Sequence, residues 1–264
     1  MTDSTALTAP SSPGALVSAA QQAQWAADAG QGAENIETQD IAVPFIGHVQ
    51  GLSKQLQEND PKYLPTAKIG SLFNTVTGEV FDAKEGLVVV PVTIQKVVAE
   101  SEPKREGGKG GGKIINVWNS RAEAAANAET GNVLLDGFRV FVLYQTKAGG
   151  WSPAIISFCT KSKVYTMKNW NALLTGLRVA GPNGTRIQPP IFAYTYRITS
   201  AQQQFDDGTA AVLKIATEGP ASDEVYQSAK QFRKAFAEGA VKVGSEDGDT
   251  PAVAPEQLDD DMPF

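Results

Sequence analysis

Residues 87–98 read Leu-Val-Val-Val-Pro-Val-Thr-Ile-Gln-Lys-Val-Val, an apolar run dominated by β-branched side chains. Such a run forms a buried strand, and Pro91, which has no N–H to give a ladder, requires a sheet edge or a bulge at that point. Other stretches carry the same signal. Residues 71–80 hold a Thr77-Gly78 turn between two β-rich pieces, and residues 114–118, 133–145 and 151–160 read as further strands. Residues 191–199 and 209–216 read as a pair joined through Asp206-Asp-Gly208. In residues 139–144, period-two geometry sets Arg139, Phe141 and Leu143 on one face and Val140, Val142 and Tyr144 on the other. Pro44 confines residues 41–46 to an edge or an irregular extended segment.

Three segments break the β pattern. Residues 121–129 are Ala-rich and helical in character. In residues 163–177, Val164, Met167, Trp170, Leu173, Leu174 and Leu177 recur at three-and-four spacing, the stripe of an amphipathic helix. Residues 222–238 form the clearest helix: Ser222 caps it, Asp223 and Glu224 suit its positive end, Gly239 stops it, and Val225, Ala229, Phe232 and Phe236 line its apolar side. The expected fold is mainly β (α+β), an OB-like or related partly closed barrel with helical insertions and a C-terminal helix.

The two ends differ from this middle. Residues 1–39 are rich in Ala, Gln, Ser, Thr and Gly, with four acids and no base, and are expected to form a disordered arm with at most a helix over 15–29. From residue 245 onward there are seven acids and no base. The intervening residues 40–244 hold 23 bases against 18 acids, a net of +5 inside a chain of net −6. The expected organisation is an arm over 1–39, one domain over 40–240 and an acidic tail over 241–264. No apolar run approaches the length of about 20 residues that a membrane span needs. No Lys or Arg precedes Lys54, which argues against a secretory signal and for a cytoplasmic protein.

Charge is segregated more sharply still in residues 137–205, which contain no Asp or Glu. Eight cations (Arg139, Lys147, Lys161, Lys163, Lys168, Arg178, Arg186, Arg197) are interleaved there with eleven aromatic residues. Cations beside flat rings suit a groove that tracks a phosphate backbone while unstacked bases rest on side-chain faces. The alternative is that the rings are core and the cations solvated surface; for the row Phe192, Tyr194, Tyr196 the core has the edge, because alternating apolar faces usually point inward. A Gly-rich basic loop over residues 103–113, with Lys104, Arg105, Lys109 and Lys113, is either a flap over nucleic acid or a soluble connection.

Much chemistry is closed off. One Cys (Cys159) and one His (His48) cannot supply a disulfide framework, a zinc finger or a two-histidine metal site. A Cys159/His48 dyad is far less expected than a buried thiol and an incidental imidazole. No Walker loop or nucleophile elbow occurs, and the acidic clusters lie in a turn and a tail, where metal geometry cannot be held. Neither metal, cofactor nor catalysis is expected.

The last six residues, Asp259, Asp260, Asp261, Met262, Pro263 and Phe264, resemble the acidic tip of bacterial single-stranded-DNA-binding proteins. A terminal Phe with its carboxylate is a compact anchor for a partner's apolar pocket rimmed by Arg or Lys. The body is longer than that of the short bacterial protein. It is similar instead to phage-encoded single-stranded-DNA-binding and replication proteins, in residues 40–45, 70–78, 88–93 and 157–170. The resemblance implies a role in phage replication, recombination or transcription, in the cytoplasm of an infected bacterium.

The expected function is sequence-tolerant binding of single-stranded DNA, with the tail recruiting replication, recombination or transcription proteins, and with homo-oligomers compatible. Arg139, Lys161, Lys163, Lys168, Arg178, Arg186 and Arg197 are the candidate backbone contacts, and Trp118, Phe141, Trp151, Trp170, Tyr194 and Tyr196 the candidate stacking rings. The rivals are a strand-annealing recombination protein, which would assemble into rings or filaments, and a structural or interaction protein that does not bind DNA.

Overall fold

The order of pairing in the main sheet follows from the long run at residues 87–98. In the computed structural model of the chain it lies in the strand Leu87–Ser101, which is buried along most of its length and bulges between Pro91 and Thr93 against its neighbour. The structure describes residues 43–103, 113–205 and 208–239, the backbone of residues 42, 242 and 243, and four residues of the N-terminal part, Ser18, Gln24, Ala27 and Asp28.

In chain order the strands are β1 (Ala42–Val43), β2 (Ile46–His48), β3 (Leu72–Asn74), β4 (Val80–Phe81), β5 (Leu87–Ser101), β6 (Ile114–Trp118), β7 (Val133–Gln145), β8 (Trp151–Phe158), β9 (Val179–Ala180), β10 (Arg186–Ile187), β11 (Tyr194–Phe205), β12 (Gly208–Pro220) and β13 (Lys242–Val243). Three helices are described: α1 (Arg121–Asn127), α2 (Lys161–Gly176) and α3 (Asp223–Ala237). The chain divides at Ile41 into two units. In the first, the Asp28 N–H donates to the Gln24 carbonyl at 3.0 Å, one helical bond inside the span expected to be helical. Apart from Ser18, Gln24, Ala27 and Asp28, the disordered arm expected over residues 1–39 lies outside the described residues, as do the basic loop residues 104–112, Asp206, Asp207 and residues 244–264 of the acidic tail.

The second unit is mainly β, and its main sheet has the order β12-β11-β5-β7-β8, with β6 also pairing with β5 and every pairing antiparallel. A smaller sheet, β2-β3-β4, lies off that path, and β1 pairs in parallel with β13. The main sheet does not close on itself. Its two outer edges are satisfied by other means. At β8, the Ile155 N–H donates to the Pro44 carbonyl at 2.8 Å. At β12, the Gln50 side chain accepts from the Ala211 N–H and donates to the Ala211 carbonyl at 3.1 and 3.0 Å, and Thr166 Oγ1 of α2 donates to the Leu213 carbonyl at 3.2 Å. The segment 44–50 and helix α2 thus fill the gap between the two edges, which leaves the partly open β architecture expected from the sequence.

Both faces of β7 are buried from Val140 to Tyr144. Val140, Val142 and Tyr144 face a large cluster with Leu87, Val89, Ala154, Ile156, Phe158, Tyr196 and Ile198, completed by Met167, Trp170 and Leu174 of α2. On the other side, Phe141 and Leu143 meet α3: Val225, Ala229 and Phe232 pack with Val90, Val92, Leu143 and Phe192, while Phe232 and Phe236 pack with Val43, Phe45, Phe141 and Ile155. Helix α3 is capped by Ser222, whose hydroxyl accepts from the Val225 N–H, and it is followed by Gly239 at φ +76°, a left-handed conformation that Gly adopts without a Cβ penalty. The expected elements recur with shifted ends. Pro189-Pro190 leads into a 3-10 turn over Ile191–Ala193, so the strand expected from residue 191 starts at Tyr194, and it runs on to Phe205. The turn at Gly181-Pro-Asn-Gly184 carries the short hairpin β9–β10, which the sequence pattern did not announce, and β13 lies just beyond the expected domain end at residue 240.

Candidate nucleic-acid interface

Three of the six rings expected to stack on bases are core. Phe141 and Trp170 are 0% exposed and Tyr196 is 1% exposed, so none has a face to offer. Trp170 packs between Phe158 and Tyr196, with ring centroids 6.1 and 5.6 Å away, as the stripe of its helix implies; Phe141 lies 4.4 Å from Phe236 of α3. Nor do Phe192, Tyr194 and Tyr196 form one row. The 3-10 turn breaks the period of two, so that Phe192 joins the cluster under α3 while Tyr194 and Tyr196 join the main core. Trp151 is half-buried beside α3.

Trp118 is occupied in another way. Glu100, on β5, is buried, and its carboxylate accepts from Asn132 Nδ2 at 2.7 Å, the Glu129 N–H at 2.8 Å, and Asn116 Nδ2 and Trp118 Nε1 at 3.1 Å each. The hydrogen bonds from Asn132, Asn116 and the Glu129 amide hold this carboxyl ionised and lower its pKa to about 2. One carboxylate therefore ties β6 and the turn after α1 to β5.

The cations divide by what they meet. Arg197 pairs with Glu218 and donates to the Glu85 carbonyl at 2.7 Å, which neutralises its charge. Arg178 donates to the Thr175 and Leu177 carbonyls at 2.6 and 2.8 Å, closing the C-terminal end of α2, and Arg186 is exposed on β10. Arg121–Asp136 and Lys234–Glu238 are further ion pairs between described residues. The side chains of the other seven cations of the acid-free block thus form no salt bridge among the described residues, although the Lys147 backbone N–H donates to Glu79 Oε1 at 2.6 Å. Arg139 is half-buried on β7 between Gln95 of β5 and Ser157 of β8; its guanidinium lies 5.5 Å from the Phe45 ring centroid and its buried Nε has no hydrogen-bond partner.

Where β7 begins and α2 follows β8, an open cleft of about 330 Å³ is lined by Leu135, Asp136, Cys159, Thr160, Lys161, Val164, Tyr165 and Lys168. Gly137, between Arg139 and Leu135, keeps the floor thin: a Cβ there would sit 3.0 Å from Cys159 Sγ. Lys161, Val164, Tyr165 and Lys168 share one side of α2 by helical spacing. Of the expected backbone contacts the structure brings together Lys161 and Lys168, with Arg139 nearby along the strand. Lys163 turns elsewhere, close enough to His48 that its charge helps to depress that imidazole. Tyr165, which the sequence reading counted among the rings without singling out, is 68% exposed. The usable signal was its place off the apolar stripe of α2, three or four residues from a Lys on either side.

His48 does not meet Cys159. Its Nε2 lies 2.9 Å from Ser200 Oγ and its Nδ1 accepts from Gln50 Nε2 at 3.1 Å, so the ring is neutral and Nε2 donates to Ser200. Burial, reinforced by Lys163, lowers its pKa to about 3, which makes it a weak base at neutral pH. Ser157 Oγ donates to Cys159 Sγ at 3.2 Å. A second cleft, of about 550 Å³, lies between Pro189–Phe192 and Arg233 of α3. Among the described residues no group of three or more His, Cys, Asp or Glu side chains could hold a metal ion, and no helix is long and apolar enough to cross a membrane.

A family model described as Pam3 phage gp34-like protein matches residues 12–242. The chain belongs to this bacteriophage protein family. No curated protein and no solved structure matches the chain.

Proposed function

We propose that this Pam3 phage gp34-like protein binds single-stranded DNA with little regard to sequence and recruits replication, recombination or transcription proteins through Asp259–Phe264. The observation that carries the reading is the set of seven cations whose side chains form no salt bridge among the described residues, in a segment of 69 residues that has no acid at all. Among them Lys161 and Lys168 share one side of α2 beside a cleft, and cations placed together without a carboxylate are what a polyanion neutralises. The strand order adds support. Five of the six strands of the main sheet, a meander (β5, β7, β8) and a hairpin (β11, β12) that returns to β5, with α2 between them, run in an order like that of OB folds, whose sheets and loops take oligonucleotides. The cell compartment in this reading is the cytoplasm of the infected bacterium.

Fluorescence anisotropy with a labelled single strand of about 30 nucleotides, roughly twice the largest site of one OB fold, and with its duplex, across a salt series, tests the proposal. Preference for the single strand is expected, with log Kd rising with log salt at a slope of about 2–3, as three or four released counterions require. Absence of single-strand binding up to about 100 µM protein, the weak end of ordinary non-specific affinity, overturns it.

A further inference from the structure

We propose that the cleft between α2 and the start of β7 is a nucleotide subsite, in which an unpaired base stacks on Tyr165 and the phosphates on either side of it meet Lys161 and Lys168. This rests on the single-strand reading and gives it a place in the molecule. Three of the rings expected to stack are withdrawn into the core and Trp118, Trp151 and Tyr194 are part-buried, so the ring most open to a base lies elsewhere. Tyr165 is the most exposed aromatic side chain of the described residues. It stands one turn after Lys161 and one turn before Lys168 on the cleft side of α2, the arrangement in which a stacked base has a cation within reach of each flanking phosphate.

The other walls fit the same ligand. Leu135 and Val164 give an apolar floor. Asp136 would repel a phosphate, but Arg121 Nη2 holds it at 2.8 Å, so the acid on the rim is already answered. At about 330 Å³ the cleft is at the small end of ligand sites, a size for one nucleotide unit of a strand that continues over the surface toward Arg139. A duplex cannot present an unstacked base to the ring, so the subsite itself selects single strands.

The test measures binding of an oligothymidylate by the full chain and by Tyr165→Ala, Tyr165→Phe and the double variant Lys161→Glu/Lys168→Glu, with thermal unfolding alongside. Tyr165→Ala is expected to weaken binding roughly 5- to 150-fold with the unfolding midpoint unchanged, because the ring is solvent-exposed, while Tyr165→Phe keeps wild-type affinity. The double lysine variant is expected to flatten the salt dependence. If the wild type binds with a clear salt slope and Tyr165→Ala binds equally well, the subsite is refuted and the single-strand reading stands. If the wild type does not bind, both fall together.

Discussion

One side of β7 meets two different fates along its length. At its C-terminal end, Phe141 and Leu143 are sealed: Phe232 and Phe236 of α3 and Val43 and Phe45 of the N-terminal segment lie over them. At its N-terminal end, beyond the half-buried Arg139, Gly137 and Leu135 lead into the cleft beside Tyr165. In the proposed single-strand reading, β7 and β8 are likened to the two strands that carry the oligonucleotide face of OB folds. Most of that face is closed here by the chain's own elements. What remains for a ligand is the uncovered end, where Lys161 and Lys168 flank Tyr165 over Leu135 and Val164, while the covered end is aromatic and aliphatic throughout. A fold's customary surface is available only as far as nothing else in the chain needs it as core.

The largest expected effect separates the two ends directly. Phe141→Ala at the sealed end removes a fully buried ring and leaves a cavity under α3, at a cost of about 3–5 kcal/mol in stability. Tyr165→Ala at the open end should alter stability by no more than about 0.5 kcal/mol, as for other exposed positions. Urea unfolding of the two variants measures the contrast. A Phe141→Ala protein as stable as the parent would mean that α3 does not seal the face, and the face would return as a site.

Much of this fold was legible, and what was not has a physical pattern. Period-two runs located β7 to within its observed ends, Pro91 marked the bulge of β5, and Ser222, Gly239 and the apolar stripe delimited α3. Which face of a strand becomes core was not legible, because the cover arrives from residues 43–45 and 225–236, far away in the chain. Phe141 alternates correctly with Val140 and Val142, yet all three are buried, so alternation alone could not assign it to solvent. Charge was misread for the same reason at Arg197, whose partner Glu218 lies outside the acid-free block but across from it in the β11–β12 hairpin. Tyr165 was masked by helical context: the eye follows the stripe of Val164, Met167 and Trp170, while the ring that solvent sees lies beside it.

A smaller effect concerns the gap between the sheet edges, which is held in part by His48. Its folded pKa, lowered to about 3 from 6.5, means that the unfolded chain binds a proton that the native state does not. Stability from the neutral imidazole is therefore full above pH 6.5 and falls as pH drops toward 3. Between about pH 7.5 and pH 5 the loss should reach up to about 2 kcal/mol, and His48→Gln should flatten that slope. Glu100, lowered from 4.5 to about 2, contributes in a different window: its share is complete above 4.5 and is lost only as pH falls through about 2. Urea midpoints across pH distinguish the two, because an unchanged slope in His48→Gln would assign the mild-acid loss to some other group.

The smallest effect sharpens the comparison at the level of single charges. Arg197 and Arg139 are both half-buried arginines of the acid-free block, but Glu218 neutralises the first and no carboxylate meets the second. Counterion release counts only charge that is free before the ligand arrives. Arg139→Gln should lower the salt slope of single-strand binding by about 0.7, one phosphate contact's worth. Arg197→Gln should leave that slope unchanged and cost at most about 1 kcal/mol in stability, the range of a solvent-accessible pair. Equal slopes for the two variants would mean that the strand does not pass along β7 beside the cleft, and that Arg139 is held for its contact with Phe45 alone.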